Sequence, residues 1–485
     1  MNLKSLAKDT AIYGLSSIVG RFLNYLLVIL HTRVISMESG GYGIVSNLYA
    51  WTALLLALLT FGMETTFFRF SGTSKDSASV YGTALKMVGT AGLAFLAIVL
   101  IFLGPISGAL GYGAHPEYIA CFALITFVDA SQAIMFARLR QQRRPLKFVT
   151  LKLSFIFASI LLNLFVFLVM PKLFGRFPSL ERSYVYSDNG VGFIFYINLV
   201  CTALVTLGFI PELKGLNVKF DRDLCRSMLR YTWPLLLLSL VGVLNQVADK
   251  ILLPVLLPGP EGRVQLGVYG ACVKIAMIMA MLTQAFRYAY EPIVFGGVKD
   301  RNSGATLADG MKYYVIFTLL AFLAVTVYLP VLKYIIAEPY WEGLEVVPVV
   351  MAAEIFMGVY FNLSFWYKLT DQTWWGAVMS TAGAAVMIAV NVIFVPRFGY
   401  RACAWGGFSG YGVAMLMSWF LGRRRYPVPY DLRTMFTFIV IALVYYYIYV
   451  EACAPLSTVL RLCVGSLLLL SYCYFAYRHI KTNRI

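Results

Sequence analysis

Charge is scarce in this chain, and so are the residues that build most catalytic centres. Only 13% of its 485 residues are Asp, Glu, Lys or Arg, roughly half the share of a soluble domain. Histidine occurs only at His31, His115 and His479, which argues against a histidine-built metal centre. None of the eight cysteines forms a CxxC pair (Cys121, Cys201, Cys225, Cys272, Cys403, Cys453, Cys463 and Cys473). Most lie in apolar stretches and read as small hydrophobes, not as a disulfide frame or metal site. HExxH, GxSxG, a Walker loop and GxGxxG are all missing, and GYGIVS and GYGAHP fail the last pattern. The lack of a nucleotide loop argues against a primary pump. A membrane glycosyltransferase or polymerase would need a charged cluster on a substantial outer loop, and the longest one, Pro171 to Asn189, has none that is compact.

What the chain has is hydrocarbon. Hydrophobic residues make up 60% of it and its mean hydropathy is +0.76. A soluble protein of this composition could not cover its own surface, whereas a membrane protein has lipid as its solvent. A spanning helix needs about 20 mainly apolar residues. That length predicts an all-α polytopic membrane protein with about 14 transmembrane helices. They fall near 10–32, 43–69, 81–104, 117–137, 148–170, 190–211, 232–257, 265–295, 311–336, 345–367, 374–395, 401–422, 433–451 and 456–477. Lys4 and Lys8 precede the first of these, and without a convincing cleavage site it reads as a retained helix.

An even count places both termini on one side. Of the 40 lysines and arginines, about 27 then share the side of the termini, about 9 lie opposite, and about 4 sit inside helices. The basic loops include Arg138 to Lys147 (RLRQQRRPLK), Lys214 to Arg230 and Arg423 to Arg425, while Glu338, Glu342 and Glu345 make one opposite loop acidic. Positive loops stay cytoplasmic, so both termini are predicted on the cytoplasmic side. The net charge of +17 reads as topology first and anionic-lipid contact second, with no call for nucleic acid.

A repeat runs through the chain. SSIVGRFLNYLLV (Ser16–Val28) and LSLVGVLNQVADKIL (Leu238–Leu252) each hold a Ser, then Val-Gly, then Leu-Asn, and each precedes a Tyr-Gly pair, Tyr42-Gly43 or Tyr269-Gly270. The fourth and tenth helices each hold a buried acid, Asp129 or Glu354. These matches predict an N-terminal lobe over 1–213, a C-terminal lobe over 214–425, and two further helices over 426–485. Transporters built on such repeats place their site between the halves.

An ionisable group in mid-membrane costs roughly 2.5 to 3.5 kcal/mol and usually faces a cavity or a partner. Arg21 lies too deep to snorkel with ease, so it reads either as a ligand contact or as half of an ion pair. Glu64 has Arg21, Arg69 or another cation as partner. Asp249 and Lys250 diverge by about 100° on a helix. Asn245 and Asp249 share a face that suits a small cation or proton, or else a polar helix contact. Arg287 and Glu291 are spaced for an intrahelical pair, and Lys274 lacks such a neighbour. Gly406, Gly407, Gly410 and Gly412 read as a packing seam, and Pro234, Pro254, Pro292 and Pro330 as kinks or helix ends.

The run TAIYGLSSIVGRFLNYLLVILHTRVISMESGGYGIVSNLYA (Thr10–Ala50), followed by FGMETTFFRF, resembles the start of a bacterial oligosaccharide flippase of the multidrug/oligosaccharidyl-lipid/polysaccharide exporter superfamily. Pro234, Asp249 and VYGACVKIAMIMAMLTQAFRYAYEPIVF resemble its second half, with Tyr269, Ala271, Lys274, Phe286, Ala289 and Pro292 at the matching positions. The resemblance implies two six-helix lobes around a central cavity plus two C-terminal helices. It implies a cargo of undecaprenyl-pyrophosphate-linked sugar units, carried from the cytoplasmic to the outer leaflet. Related lipid II flippases use arginines near the start of the first helix, to which Arg21 corresponds, and an acid on the seventh that serves sodium, to which Asp249 corresponds. Asn391 is a further candidate sodium ligand.

The expectation is therefore a non-enzymatic flippase working by alternating access. Arg21 and Lys274, followed by Lys250 and Arg287, would meet the anionic cargo. Asp249, Asn245, Glu64, Asp129, Glu291 and Glu354 would serve ion coupling or charge pairing, with Na⁺ or H⁺ as coupling ion and no other cofactor. Expected partners are the lipid-linked oligosaccharide, membrane lipids, and the glycan polymerase and glycosyltransferases of the same process. Rival readings are a cation-coupled multidrug exporter of the same superfamily and a non-transporting scaffold for envelope glycan synthesis.

Overall fold

The computed structural model describes residues 23, 25–73, 76–213, 221–296 and 303–482. Among these there is helix, turn and loop but no strand. Contacts divide the chain into two compact units, Met1–Gly267 and Val268–Ile485.

The first unit holds α1 (Tyr25–Val34), α2 (Gly41–Thr60), α3 (Met63–Thr73), α4 (Ser77–Ile101), α5 (Leu103–Ala109) and α6 (Pro116–Gln141). It continues with α7 (Pro145–Leu164), α8 (Pro178–Tyr186), α9 (Val191–Leu207), the short α10 (Ile210–Leu213) and α11 (Arg222–Leu256). The division falls inside α12 (Pro260–Gly296). The second unit holds the rest of α12, then α13 (Ser303–Leu332), α14 (Val346–Leu363), α15 (Phe365–Leu369), α16 (Trp374–Phe398), α17 (Tyr400–Arg425), α18 (Leu432–Tyr447) and α19 (Thr458–Thr482).

The chain is an all-α polytopic membrane protein. Among the described residues, eleven helical segments are long and apolar enough to span a bilayer, or twelve if α8 and α9, bent by 99°, make one span. That is fewer than the fourteen the sequence predicts. The first expected span lies largely outside the described residues, and its remainder is the short α1. The twelfth is α17, whose five glycines and terminal Arg423, Arg424 and Arg425 dilute its hydrocarbon character.

Local sequence sets the helix ends. Asp76, Asp221 and Asp431 cap α4, α11 and α18, each carboxylate accepting from backbone N–H groups of the first turn. Pro116 and Pro145 open α6 and α7, where a missing N–H leaves nothing unpaired. Gly190 takes φ 95° at the α8–α9 corner, a backbone region that suits glycine.

In the first unit the core is aromatic, with Phe195 edge-on to Tyr118 and Phe122 at 5.0 and 4.8 Å. Two polar ties fix α11 to its neighbours. Pro254 has no N–H to give the carbonyl of Lys250, four residues before it in α11. Asn47 of α2 donates to that carbonyl at 2.8 Å, and Tyr112 donates to the Asn47 amide oxygen at 2.9 Å. Lower on α11, the Thr232 hydroxyl meets that of Thr66 at 2.6 Å and lies 3.0 Å from the Phe61 carbonyl. These contacts set α11 in the first unit, whereas the repeat assigns its residues to the 214–425 lobe.

In the second unit α16 and α17 meet along a glycine seam. Gly383 and Gly410 stand against each other's backbone, and Gly406 against Asn391 and the Met387 carbonyl. Gly407 faces open space and Gly412 makes only ordinary contact with Phe356, so half of the expected glycine cluster forms the seam. The last two helices pack on α13, where the hydroxyls of Tyr449 and Tyr472 donate to the carbonyls of Val327 and Ile316 at 2.6 and 3.1 Å.

Candidate functional site

Among the described residues, several ionisable groups inside the spans form clusters, and those described below each belong to one unit. On α11, Asn245 and Asp249 lie one turn apart and are both buried. Lys250 folds back along the helix, so that its ammonium stands 3.3 Å from an Asp249 oxygen and donates to the Gln246 carbonyl at 3.1 Å. The same Asp249 oxygen accepts the Lys250 backbone N–H at 2.8 Å. Adjacent residues diverge at Cβ, yet the four-carbon lysine stem is long enough to close that angle. Asp249 thus has a cation of its own beside it, and an added cation would compete with Lys250. Asn245 donates to the Val241 carbonyl at 3.0 Å.

A second cluster ties α3 to α6. Glu64 pairs with Arg140, in the last turn of α6, and the Arg140 guanidinium lies 5.1 Å from the Phe68 ring. Arg69 instead rests over Tyr231 at 4.1 Å. Asp129, half-buried on α6, accepts from the Thr202 hydroxyl at 3.5 Å and interacts with the charge of Lys152. Thr202 leads on to Asn198 at 3.3 Å, and Asn198 to the Tyr49 hydroxyl at 2.7 Å. An apolar cavity of about 710 Å³ opens in the same unit beside Leu58, Met87, Leu229, Trp233 and Leu236, with Lys86 as its charged lining residue. Its walls suit hydrocarbon, not sugar.

In the second unit Lys274 of α12 and Glu354 of α14 are both half-buried. Glu354 interacts with Tyr314, whose hydroxyl meets that of Thr283 at 2.8 Å. Farther along α12, Arg287 and Glu291 form the expected pair, at 3.8 Å. A second cation, Lys368 of α15, approaches the same carboxylate at 3.9 Å. Both cations also sit over one ring, that of Phe361, at 3.9 Å for Arg287 and 4.4 Å for Lys368. Asn391 of α16 is fully buried, and neither polar atom of its side chain has a hydrogen-bond partner among the described residues. An amide so placed has the chemistry of a cation ligand, with its oxygen turned towards Gly406. Arg21 lies outside the described residues.

Residues 6–293 match the family model described as polysaccharide biosynthesis protein. The chain belongs to that family. The fold of this family member is similar to that of a solved structure titled lipid II flippase MurJ, inward closed conformation. The TM-score is 0.72 at 12% identity over 97% of this chain and 99% of that one. It is also similar to an inward-facing multidrug resistance MATE family transporter of the MOP superfamily (TM-score 0.66, 14% identity, 84% and 94% covered). A MATE structure in the straight conformation gives 0.61, with 13% identity and 87% and 95% covered. No curated protein matches the sequence.

Lys368, Arg140 and Lys152 escape a reading of the sequence alone. Arg140 sits in the basic stretch read as a loop, and Lys368 lies just past the expected 345–367 span. One signal does single out Lys368: Phe361, Phe365 and Lys368 are spaced four and three apart, which puts them on one helical face.

Proposed function

We propose that this family member is a flippase for a lipid-linked oligosaccharide in a bacterial inner membrane, with both termini cytoplasmic. Its cargo is an undecaprenyl-pyrophosphate-linked repeat unit, taken from the cytoplasmic to the outer leaflet by alternating access. One observation carries the reading: a polysaccharide-biosynthesis chain has a fold similar to that of a lipid II flippase. Glycosyltransferases and a glycan polymerase would act before and after it. A polar, pyrophosphate-bearing head cannot cross hydrocarbon unaided, and side chains such as Arg21, Lys274, Arg287 and Lys368 replace part of its lost solvation.

The membrane potential favours the direction. Each negative charge moved outward across an inside-negative membrane gains about 2.3 kcal/mol per 100 mV. Resetting then uses H⁺ or Na⁺ at Asp249, where Lys250 is the cation to be displaced.

The test is twofold. A deletion strain should accumulate the lipid-linked oligosaccharide in the inner leaflet. Proteoliposomes should flip it faster under one polarity of imposed potential than under the other. Equal rates at both polarities would remove the potential-driven step, and normal glycan export in the deletion strain would remove the flippase. The MATE-like fold supports a second reading, export of small organic molecules. A cationic substrate would meet repulsion at Arg287 and Lys368, so competition by organic cations would favour the exporter.

A further inference from the structure

Two cations share one carboxylate in the second unit, and the geometry of that sharing is specific. Arg287 and Glu291 lie one turn apart on α12, and Lys368 comes from the short α15. The Glu291 oxygen stands 3.8 Å from the guanidinium and 3.9 Å from the ammonium. Both separations exceed a hydrogen bond, which closes at about 2.7 to 3.2 Å for N–H to oxygen. The carboxylate therefore sits near two cations without being bonded to either.

Other contacts hold the cations in place. Phe361 is buried and braced edge-on by Phe365 at 5.7 Å. Its ring attracts Arg287 and Lys368 together, as a ring quadrupole does for cations over its face. The three side chains are only partly covered, with side-chain exposures of 45% for Arg287, 28% for Lys368 and 33% for Glu291. Two positive charges against one negative leave a surplus of one. The tethered carboxylate, on the same helix as Arg287, closes on neither cation here. A diphosphate can close on both, with one phosphoryl group on the planar guanidinium in a two-point contact and the other on the ammonium.

We propose that Arg287, Lys368 and Phe361 form a diphosphate-binding subsite in which Glu291 is an internal stand-in for the anion and is displaced when the ligand arrives. This deepens the flippase reading and rests on it. It assigns Lys368 a role in recognition, and it makes Glu291 a competitor of the cargo.

The experiment uses the full chain in phosphatidylcholine nanodiscs, with farnesyl diphosphate as the probe and inorganic pyrophosphate and phosphatidylglycerol as competitors. Arg287→Gln and Lys368→Gln should each weaken binding about tenfold, the scale of one charge-assisted contact. Glu291→Gln should tighten it several-fold, a gain that misfolding cannot imitate. Inorganic pyrophosphate should compete, and phosphatidylglycerol should not. Weakening by Glu291→Gln would mark a purely structural ion cluster and overturn the proposal. Equal competition by phosphatidylglycerol would make the cluster a general anionic-lipid contact and overturn it as well. If wild type and all three variants bind the probe alike, the subsite is wrong while the flippase reading stands. If wild type does not bind the probe at all, the flippase reading falls with it.

Discussion

Gly383 and Gly410 occupy each other's side-chain space: a Cβ on either residue would stand 2.7 Å from the other's carbonyl oxygen. The α16–α17 seam is therefore closed by backbone on both sides, with the Cβ atoms of Ala414 and Met387 beside it at 3.2 and 2.9 Å, so no flexible side-chain end is there to move away. Alanine at either position should cost about 1 to 3 kcal/mol, as overpacking does, and lower the thermal midpoint of the purified protein. Gly407→Ala, with nothing within 4 Å of its Cβ, should be neutral or gain up to about 1 kcal/mol from helix propensity. Thermal melts in one detergent compare the three.

Asn47 should matter more than its size implies. It bonds the Lys250 carbonyl that Pro254 leaves open, and it receives the Tyr112 hydroxyl. Asn47→Ala removes both bonds and strands buried polar groups, a loss of about 2 kcal/mol. Tyr112→Phe removes only the outer bond and should cost about half as much. Equal losses for the two variants would show that Asn47 does not tie α2 to α11.

The pair of Glu64 and Arg140 invites a double-mutant cycle. Both side chains are partly exposed, so the coupling should be about 1 kcal/mol, below the cost of breaking a fully buried pair. Glu64→Gln and Arg140→Gln should each lower thermal stability, and the double variant should lose less than their sum. Strict additivity would assign Arg140 to Phe68 alone.

Asp431 links stability to pH. Its bond with Thr434 holds its carboxyl below the ordinary carboxylate range, with Lys312 and His479 adding to that effect and burial opposing it. The unfolded carboxyl titrates near pH 3.9. The stabilisation is thus complete above that value and disappears as pH falls through the depressed folded value. Asp431→Ala should cost about 1 kcal/mol at neutral pH and flatten the acid limb of a stability profile. An unchanged acid limb would rule out this cap as its source.

The fold class was legible because hydrocarbon length is a property of composition, and each expected span has helix at its place among the described residues. Pairing was only partly legible. The Arg287–Glu291 spacing lies within one helix and needs no tertiary information. Glu64 gives no hint that its partner is Arg140, 76 residues on, since that choice depends on how α3 and α6 pack. Asp249 and Lys250 read as diverging because Cβ directions are fixed by the helix, while lysine's reach is not. The orphan carbonyl at Lys250 was implicit in Pro254, but its donor, 203 residues earlier, was not.

The attachment of the last two helices has a consequence for how this family can vary. Tyr449 and Tyr472 address backbone oxygens of α13, so the residues that α13 happens to carry there are not what they read. Homologues can exchange one apolar residue for another along that stretch without loosening the docked pair, whereas losing the two phenols would detach it from whatever sequence lies beneath.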